Sequence, residues 1–204
     1  MAVWFGLRNL FGVPDDVWAD AAGKLGAEFV QGKWLANSEI KLSHRGFPIT
    51  LEVRSGTGDD STEYTRAVPG VALDQKTKLA MLPQVKGLLG SITSGLAAST
   101  GYPTIKIPSF SEDYLVVGDD EKLANKLFGH RDFLSALKGL TQNPKIVIGR
   151  TFGVNLLADE DEDNFYVSVR GVLKDIHQLV ALVDLTKVLL DLLDENDCLA
   201  ATGS

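Results

Sequence analysis

Two neighbouring predicted strands carry the polar side chains whose chemistry best suits ligand binding. Apolar and polar residues alternate from position 49 to position 54, and a glycine- and aspartate-rich segment, 55–61, leads into a second strand, 63–68. This pattern predicts an antiparallel hairpin, whose polar face collects side chains from both strands and from the preceding turn. The candidate ligand-binding residues of this face are His44, Arg45, Glu52, Arg54, Tyr64 and Arg66.

The arginines are the reason to consider an anionic ligand at this face. A guanidinium group offers forked N–H donors that match a carboxylate or a phosphate. Glu52 would neutralise only one of these arginines. The alternative is an ordinary solvated sheet face that is held together by cross-strand ion pairs. The sequence leaves both interpretations open.

The motifs of known catalytic and metal sites do not occur in the sequence. His44, His130 and His177 lie far apart, and none has a second metal ligand at helical spacing. The acidic run 159–163 does not begin a calcium-binding EF-hand loop, because its twelfth position is Arg170 rather than glutamate. Neither a G-x-S-x-G elbow nor a glycine-rich phosphate loop is present. We therefore predict no catalytic residue, no metal and no cofactor.

Composition and charge narrow the class of partner. The chain has 204 residues, of which 45% are hydrophobic and 23% charged, and such a chain can bury a core without disulfides or a structural metal. Its net charge of −7, with no long basic block, makes nucleic acid an unexpected partner. Cys198 is the only cysteine, so an intramolecular disulfide is excluded.

No targeting or membrane-spanning segment is predicted. The apolar start, 1–11, lacks the basic region and the cleavage site of a signal peptide. The most apolar stretch, 172–193, is interrupted by charged residues, which is typical of a core helix rather than a membrane span. A cytoplasmic location is therefore expected. The apolar residues of 4–11 would pack on the domain or, alternatively, lie on a membrane surface.

The predicted elements give an α+β fold: an antiparallel sheet covered by helices, with a long C-terminal helix. The hydrophobic periods and turn signals predict a helix closed by Gly26, strands at 27–31, 39–43, 49–54, 63–68 and 79–82, a glycine-diluted helix at 84–99, strands at 102–107 and 113–117, helices at 121–128 and 131–140, strands at 145–149, 152–158 and 165–170, and a helix at 172–193. We expect one compact domain over 1–204, with a frayed tail at 196–204.

Two segments of similar order could record an internal duplication. Residues 22–53 and 137–169 both run from the end of a helix through a short strand, a glycine, a basic residue and an aromatic one. A duplication would divide the chain into halves near 1–100 and 101–195. Coincidence also explains so few matched positions, and superposition of the halves would decide between the two.

A strand that ends in a Gly-Asp-Asp turn carries the resemblance to known proteins. Residues 114–117 run into Gly118, Asp119 and Asp120, and a helix bearing a Leu-Phe pair at 127–128 follows. Together with the WADAAGKLGAEFV segment at 18–30 and the YTR segment at 64–66, this pattern resembles a group of bacterial domains of unknown function. The resemblance implies a bacterial α+β module, and no activity, cofactor or catalytic residue comes with it.

Our leading hypothesis is a non-enzymatic bacterial binding or protein-interaction module. Its partner would be a protein, or a small apolar or anionic ligand, with an apolar one held between the sheet and the long helix. The alternative is an enzyme whose site assembles only in the folded chain, around His44, Glu52 and Arg66. A packed sheet–helix interface favours interaction, an apolar cavity favours ligand binding, and a cleft that joins histidine and carboxylate favours catalysis. Assembly into a homo-oligomer stays open.

Overall fold

The structure is a computed structural model that describes residues 13–32, 37–55, 62–74, 77–84, 101–109, 113–149 and 165–200. It confirms the predicted α+β class, with an antiparallel sheet and a long C-terminal helix. In chain order the described elements are α1 (Asp15–Leu25), β1 (Glu28–Val30), β2 (Glu39–His44), β3 (Phe47–Ser55), β4 (Glu63–Pro69), β5 (Leu79–Pro83), β6 (Thr104–Ile105), β7 (Tyr114–Gly118), α2 (Glu121–Phe128), α3 (Arg131–Leu137), β8 (Lys145–Ile148), β9 (Phe165–Arg170) and α4 (Ile176–Glu195).

The nine described strands form one sheet in the order β1-β2-β3-β4-β9-β8-β5-β7-β6. Every paired neighbour is antiparallel. The first four strands follow one another as a meander, and the two-residue turn between β2 and β3 has positive φ at Arg45 (50°) and Gly46 (87°). Positive φ at both central residues is the signature of a type I′ turn, whose twist matches that of the flanking strands. Residues far apart in sequence meet where β4 pairs with β9.

One face of the sheet, which we call the helix face, carries the main hydrophobic core. Alternate strand residues such as Ile40, Leu51 and Val167 are fully buried there together with Leu182 and Leu189 of α4. The buried apolar residues of all four described helices belong to this cluster. The core therefore lies between the sheet and the helices.

The opposite face, which we call the second face, has an apolar part and a charged part. Its apolar cluster consists of Ala80, Leu82, Leu115, Val117, Val147 and Tyr166. No helix in the described ranges contributes to this cluster. The charged part begins at Tyr166 and extends over β4 and β3, where the predicted ligand-binding residues lie.

The C-terminal helix begins later than its hydrophobic pattern predicts. Asp175 caps it by accepting a hydrogen bond from Gln178 N (3.0 Å). Just before the cap, Leu173 N donates to Thr65 Oγ1 (2.9 Å) and Leu173 O accepts from Trp18 Nε1 (3.0 Å). These two tertiary hydrogen bonds are made by a residue outside the helix, so that the apolar residues at 172–173 pack against the core without extending the helix.

Part of the predicted frayed tail is tied to the domain. Asp74 N donates to Cys198 O (2.9 Å) and Ala200 N donates to Ala72 O (2.8 Å), on either side of a bridge between Leu73 and Leu199. Backbone pairing with 72–74 therefore orders 198–200. Local sequence patterns do not predict this pairing, because the two segments are far apart in the chain.

The internal duplication, which the sequence left open beside coincidence, is not shown by the sheet order. The two matched segments contain β1 and β8, yet β1 lies at an edge beside β2 whereas β8 lies inside the sheet, between β9 and β5. Several predictions lie outside the described residues. These are the apolar segment 4–11, most of the helix 84–99, the strand 152–158 and the acidic run 159–163.

Candidate functional site

Strand register places four polar residues side by side on the second face, one from each of four strands. Glu52 of β3 lies opposite Arg66 of β4, Arg66 lies opposite Ser168 of β9, and Ser168 lies opposite Lys145 of β8. Residues directly opposite each other in antiparallel strands have Cβ atoms about 5 Å apart. We call Glu52, Arg66, Ser168 and Lys145 the charged row.

Arg66 is the buried centre of this row. Its side chain is completely inaccessible, and its Nη2 donates to Glu52 Oε1 at 2.7 Å. The guanidinium carbon lies 5.0 Å from the centroid of the Tyr166 ring, within the range of a cation–π contact. A buried charge is tolerated only when charged, hydrogen-bonding or aromatic groups replace its water. Glu52 and Tyr166 supply such groups.

Further cations surround this centre. Arg54 lies opposite Tyr64, its side chain is 51% exposed, and its Nε donates to Glu52 Oε1 at 3.1 Å. Lys145 Nζ lies 5.3 Å from the centroid of the Tyr166 ring. Among the described residues, Arg54, Arg66 and Lys145 thus bring three basic side chains to this part of the face, beside the carboxylate of Glu52.

His44 and Arg45 lie elsewhere. His44 pairs with Phe47, which packs against the core of the helix face, so the imidazole lies on the opposite side of the sheet from Glu52. The reason is the two-residue turn. In such a hairpin, residues i and i+3 share a face, which reverses the odd–even alternation along the chain. The structure therefore brings together Glu52, Arg54, Tyr64 and Arg66, and separates His44 and Arg45 from them.

His44 and Arg45 instead bind one carboxylate on α4. Asp191 Oδ1 lies 2.7 Å from His44 Nε2 and 3.3 Å from Arg45 Nε. A carboxylate that holds an imidazole is one half of a general-base arrangement. The second half, a hydroxyl or thiol on the other ring nitrogen, is not among the contacts of His44 in the described ranges. The group acts here as a tie between the β2–β3 hairpin and the helix.

Three residues of the site come from strands that sequence reasoning did not connect with it. Lys145, Tyr166 and Ser168 belong to β8 and β9. The alternation of Val167 and Val169 with Tyr166 and Ser168 indicates that the latter two share a face. This alternation does not reveal that β9 pairs with β4, and without that pairing the sequence cannot place Tyr166 and Ser168 beside Arg66.

The Gly-Asp-Asp turn that carried the resemblance has a structural role at each position. A Cβ on Gly118 would collide with the side chain of Leu79. Asp119 Oδ1 accepts a hydrogen bond from Lys78 N (3.2 Å), and Asp120 Oδ1 caps α2 by accepting one from Leu123 N (2.9 Å). The turn thus fixes the junction of β7 and α2.

A polar depression lies beside the ordered C-terminal segment. It is a cavity of about 410 Å³ lined by Asp74, Thr77, Asp120, Lys122, Leu123, Lys126, Asn196, Asp197 and Cys198. Burial raises the pKa of the Cys198 thiol, a hydrogen bond from Thr77 opposes that shift, and nearby carboxylates add to it. A thiol with a raised pKa is a poor nucleophile at neutral pH.

Neither the structure nor comparison with known proteins identifies a metal site, a membrane-spanning helix or a family. In the part of the chain that the structure describes, no group of three or more His, Cys, Asp or Glu side chains is arranged to hold a metal ion. None of the described helices is long and apolar enough to cross a membrane. The sequence matches no protein-family model, and no curated protein or solved structure is significantly similar to the chain.

Proposed function

We propose that the protein is a non-enzymatic interaction module that binds an acidic segment of a protein partner on its second face. The observation that carries this proposal is the arrangement around Arg66: a fully buried guanidinium between Glu52 and Tyr166, flanked by Arg54 and Lys145. Arg54 is the member of this group that a partner can reach, because its side chain is 51% exposed whereas that of Arg66 is inaccessible. Carboxylates are natural partners for Arg54, because charge-assisted hydrogen bonds to arginine are short and strong.

The shape of the site supports a protein rather than a small apolar ligand. The region between the sheet and α4 is filled by side chains such as Leu182, Val183 and Leu189, which have no exposed surface. Arg54 and Arg170, in contrast, are exposed on the second face. An extended segment lying across strands can reach several such side chains at once.

Charge supports an acidic partner. The chain as a whole carries a net charge of −7, yet in its described part three basic side chains, those of Arg54, Arg66 and Lys145, lie close together on the second face beside one carboxylate, that of Glu52. Complementary charge steers encounter and suppresses wrong partners more than it adds affinity. Binding of this kind weakens with salt, because ions screen exposed charges beyond about 10 Å at 0.1 M ionic strength.

Fluorescence anisotropy with a labelled oligoglutamate peptide tests the proposal. The full chain is expected to bind oligoglutamate, to ignore oligoglutamine of the same length, and to lose affinity as salt is added. The double variant Arg54→Gln/Arg170→Gln should bind roughly tenfold more weakly at low salt. Lys24→Gln is the matched control for a single charge, because Lys24 is exposed on α1, which packs on the helix face.

Equal binding of oligoglutamate and oligoglutamine would overturn the proposal. So would an affinity that falls as much in Lys24→Gln as in Arg54→Gln alone, because that result would indicate a general charge effect rather than a site.

A bacterial source, a cytoplasmic location and homo-oligomer formation remain predictions. Native mass spectrometry of the purified chain, compared with its denatured mass, tests self-assembly.

A further inference from the structure

Two exposed arginines, Arg54 and Arg170, lie on either side of Tyr64 at one end of the charged part of the second face. Arg54 of β3 is opposite Tyr64 of β4 in the strand register. On the other side of β4, Tyr64 forms a β-bridge with Gly171, the residue that follows Arg170 at the end of β9. Because neighbouring strands are about 4.8 Å apart, the backbones of the two arginines are separated by roughly 10 Å.

The two guanidinium groups point towards opposite ends of the strands. Arg54 Nε donates to Glu52 Oε1 at 3.1 Å, whereas Arg170 Nη2 donates to Thr62 Oγ1 at 3.3 Å. Glu52 lies opposite Arg66 within β4, and Thr62 precedes the first residue of that strand. The two groups are thus placed for two separate anionic groups rather than for one shared carboxylate or phosphate.

Both arginines can be reached from solvent. The side chain of Arg54 is 51% exposed, and Arg170 is exposed as well. Each is already oriented by a hydrogen bond to its neighbour on the sheet. An arginine that is oriented in advance loses less side-chain freedom when a carboxylate binds, which favours binding.

We infer that the acidic partner crosses β4 as an extended segment above Tyr64, with one carboxylate on Arg54 and a second on Arg170. This inference rests on the proposed function and specifies the spacing of the acidic residues. Every second side chain of an extended segment points to the same side, and the chain advances about 3.3 Å per residue. Acidic residues four positions apart therefore lie about 13 Å apart on one side, which suits two diverging guanidinium groups. Adjacent acidic residues point to opposite sides.

Two serine heptapeptides that each carry two glutamates test this spacing. In the spaced peptide the glutamates are four positions apart, and in the adjacent peptide they are consecutive. Both have the same composition and charge, and both are too short to form a stable helix. Titration of the labelled full chain at low salt, followed by NMR, should show the spaced peptide binding about fivefold more tightly, the size of one further exposed ion pair. It should shift the side-chain Nε–H signals of both Arg54 and Arg170.

Substitution of either arginine should remove the preference between the two peptides. In Arg170→Gln, and likewise in Arg54→Gln, the spaced and the adjacent peptide should bind equally, because only one guanidinium group is left to contact. Lys24→Gln is the matched control, because Lys24 is exposed on α1, and it should keep the fivefold preference. A preference that survives Arg170→Gln, or a spaced peptide that shifts only one of the two arginine signals, would overturn the inference.

The same titrations separate this inference from the proposed function. If the two peptides bind with equal affinity, and both bind more tightly than a heptapeptide of serine alone, the spacing is wrong and the proposed function stands. If neither peptide binds and oligoglutamate does not bind either, the proposed function is wrong and the inference is wrong with it.

Discussion

Gly149 and Gly171, which follow β8 and β9, have similar φ angles but different surroundings. Their φ angles are +93° and +85°, a range that residues with a Cβ rarely adopt. A Cβ on Gly149 would collide with the carbonyl oxygen of Thr77, whereas a Cβ on Gly171 would have no atom within 4 Å. The two positions therefore separate the cost of the dihedral angle from the cost of the collision.

We predict that Gly171→Ala lowers the free energy of unfolding by about 1–2 kcal/mol, the cost of a left-handed alanine. Gly149→Ala should lower it by roughly 1–3 kcal/mol more, because β8 must also move away from the 77–78 segment. Urea unfolding of both variants measures the difference. Equal losses would show that the strand end relaxes freely and that the close approach to Thr77 is not a constraint.

Tyr114 is the residue whose protonation is most clearly tied to the fold. Its hydroxyl donates to Asn143 Oδ1 at 3.1 Å, and burial, assisted by the charge of Asp113, raises its pKa to about 12. Because the folded pKa lies above the ordinary value of 10.0, the fold favours the neutral phenol. This contribution to stability is complete below pH 10 and is lost as the pH rises towards 12.

The corresponding prediction is that the free energy of unfolding falls between pH 10 and pH 12, the interval between the two pKa values. In Tyr114→Phe this fall should be smaller, since the group that titrates is absent. Denaturant unfolding at a series of pH values measures both curves, and the spectrophotometric titration should lose its latest tyrosine transition in the variant. Parallel curves for the two proteins would contradict the assignment to Tyr114.

At the scale of elements, the tie between the β2–β3 hairpin and α4 joins the outer meander to the core helix. Asp191 holds both His44 and Arg45, and the side chains of His44 and Asp191 are only 22% and 25% exposed. A hydrogen bond to such a partly buried carboxylate is screened less than one in open solvent. The pair Lys187–Asp184, at 3.4 Å on the same helix with Asp184 55% exposed, offers an internal comparison.

A double-mutant cycle with His44→Gln and Asp191→Asn should give a coupling free energy of about 1 kcal/mol. The same cycle with Lys187→Gln and Asp184→Asn should give no more than about 0.5 kcal/mol, as is usual for exposed helix pairs. Thermal or urea unfolding of the unmodified protein and the six variants supplies both values. A coupling for His44 and Asp191 that does not exceed that of the exposed pair would show that the tie does not hold the hairpin.

Local sequence patterns predicted most elements but not the neighbours that complete the site. The alternation at 49–54 and at 63–68 correctly predicted β3 and β4, because the period of two is a property of each strand alone. The pairing of β4 with β9, which brings Ser168 beside Arg66, depends on how distant segments share one core. The placement of His44 failed for a related reason: the length of the turn, rather than the strand pattern, sets its face.

At the scale of the whole molecule, the two predicted halves share one sheet and one helix. β4 of the first half pairs with β9 of the second, and α4 packs on β4, on β9 and on α1. Trp18 in α1 donates its indole N–H to Leu173 O, just before α4. Because these contacts cross any division near residue 100, neither half can keep its core when the other unfolds.

We therefore predict that the chain unfolds as one cooperative unit, and that a destabilising substitution in the second half also lowers the stability of the first. Ile146 of β8 is fully buried between β9 and β5, so Ile146→Ala should cost about 2–5 kcal/mol. Replacing Trp4 and Trp34 with phenylalanine leaves Trp18 as the only tryptophan, whose fluorescence reports on α1, while far-UV circular dichroism reports on the whole sheet. Ile146→Ala should lower the urea midpoint of both signals by the same amount, because a two-state domain has one transition. If the Trp18 transition kept its midpoint while the circular dichroism transition moved, the halves would be independent folding units and α4 would belong to only one of them.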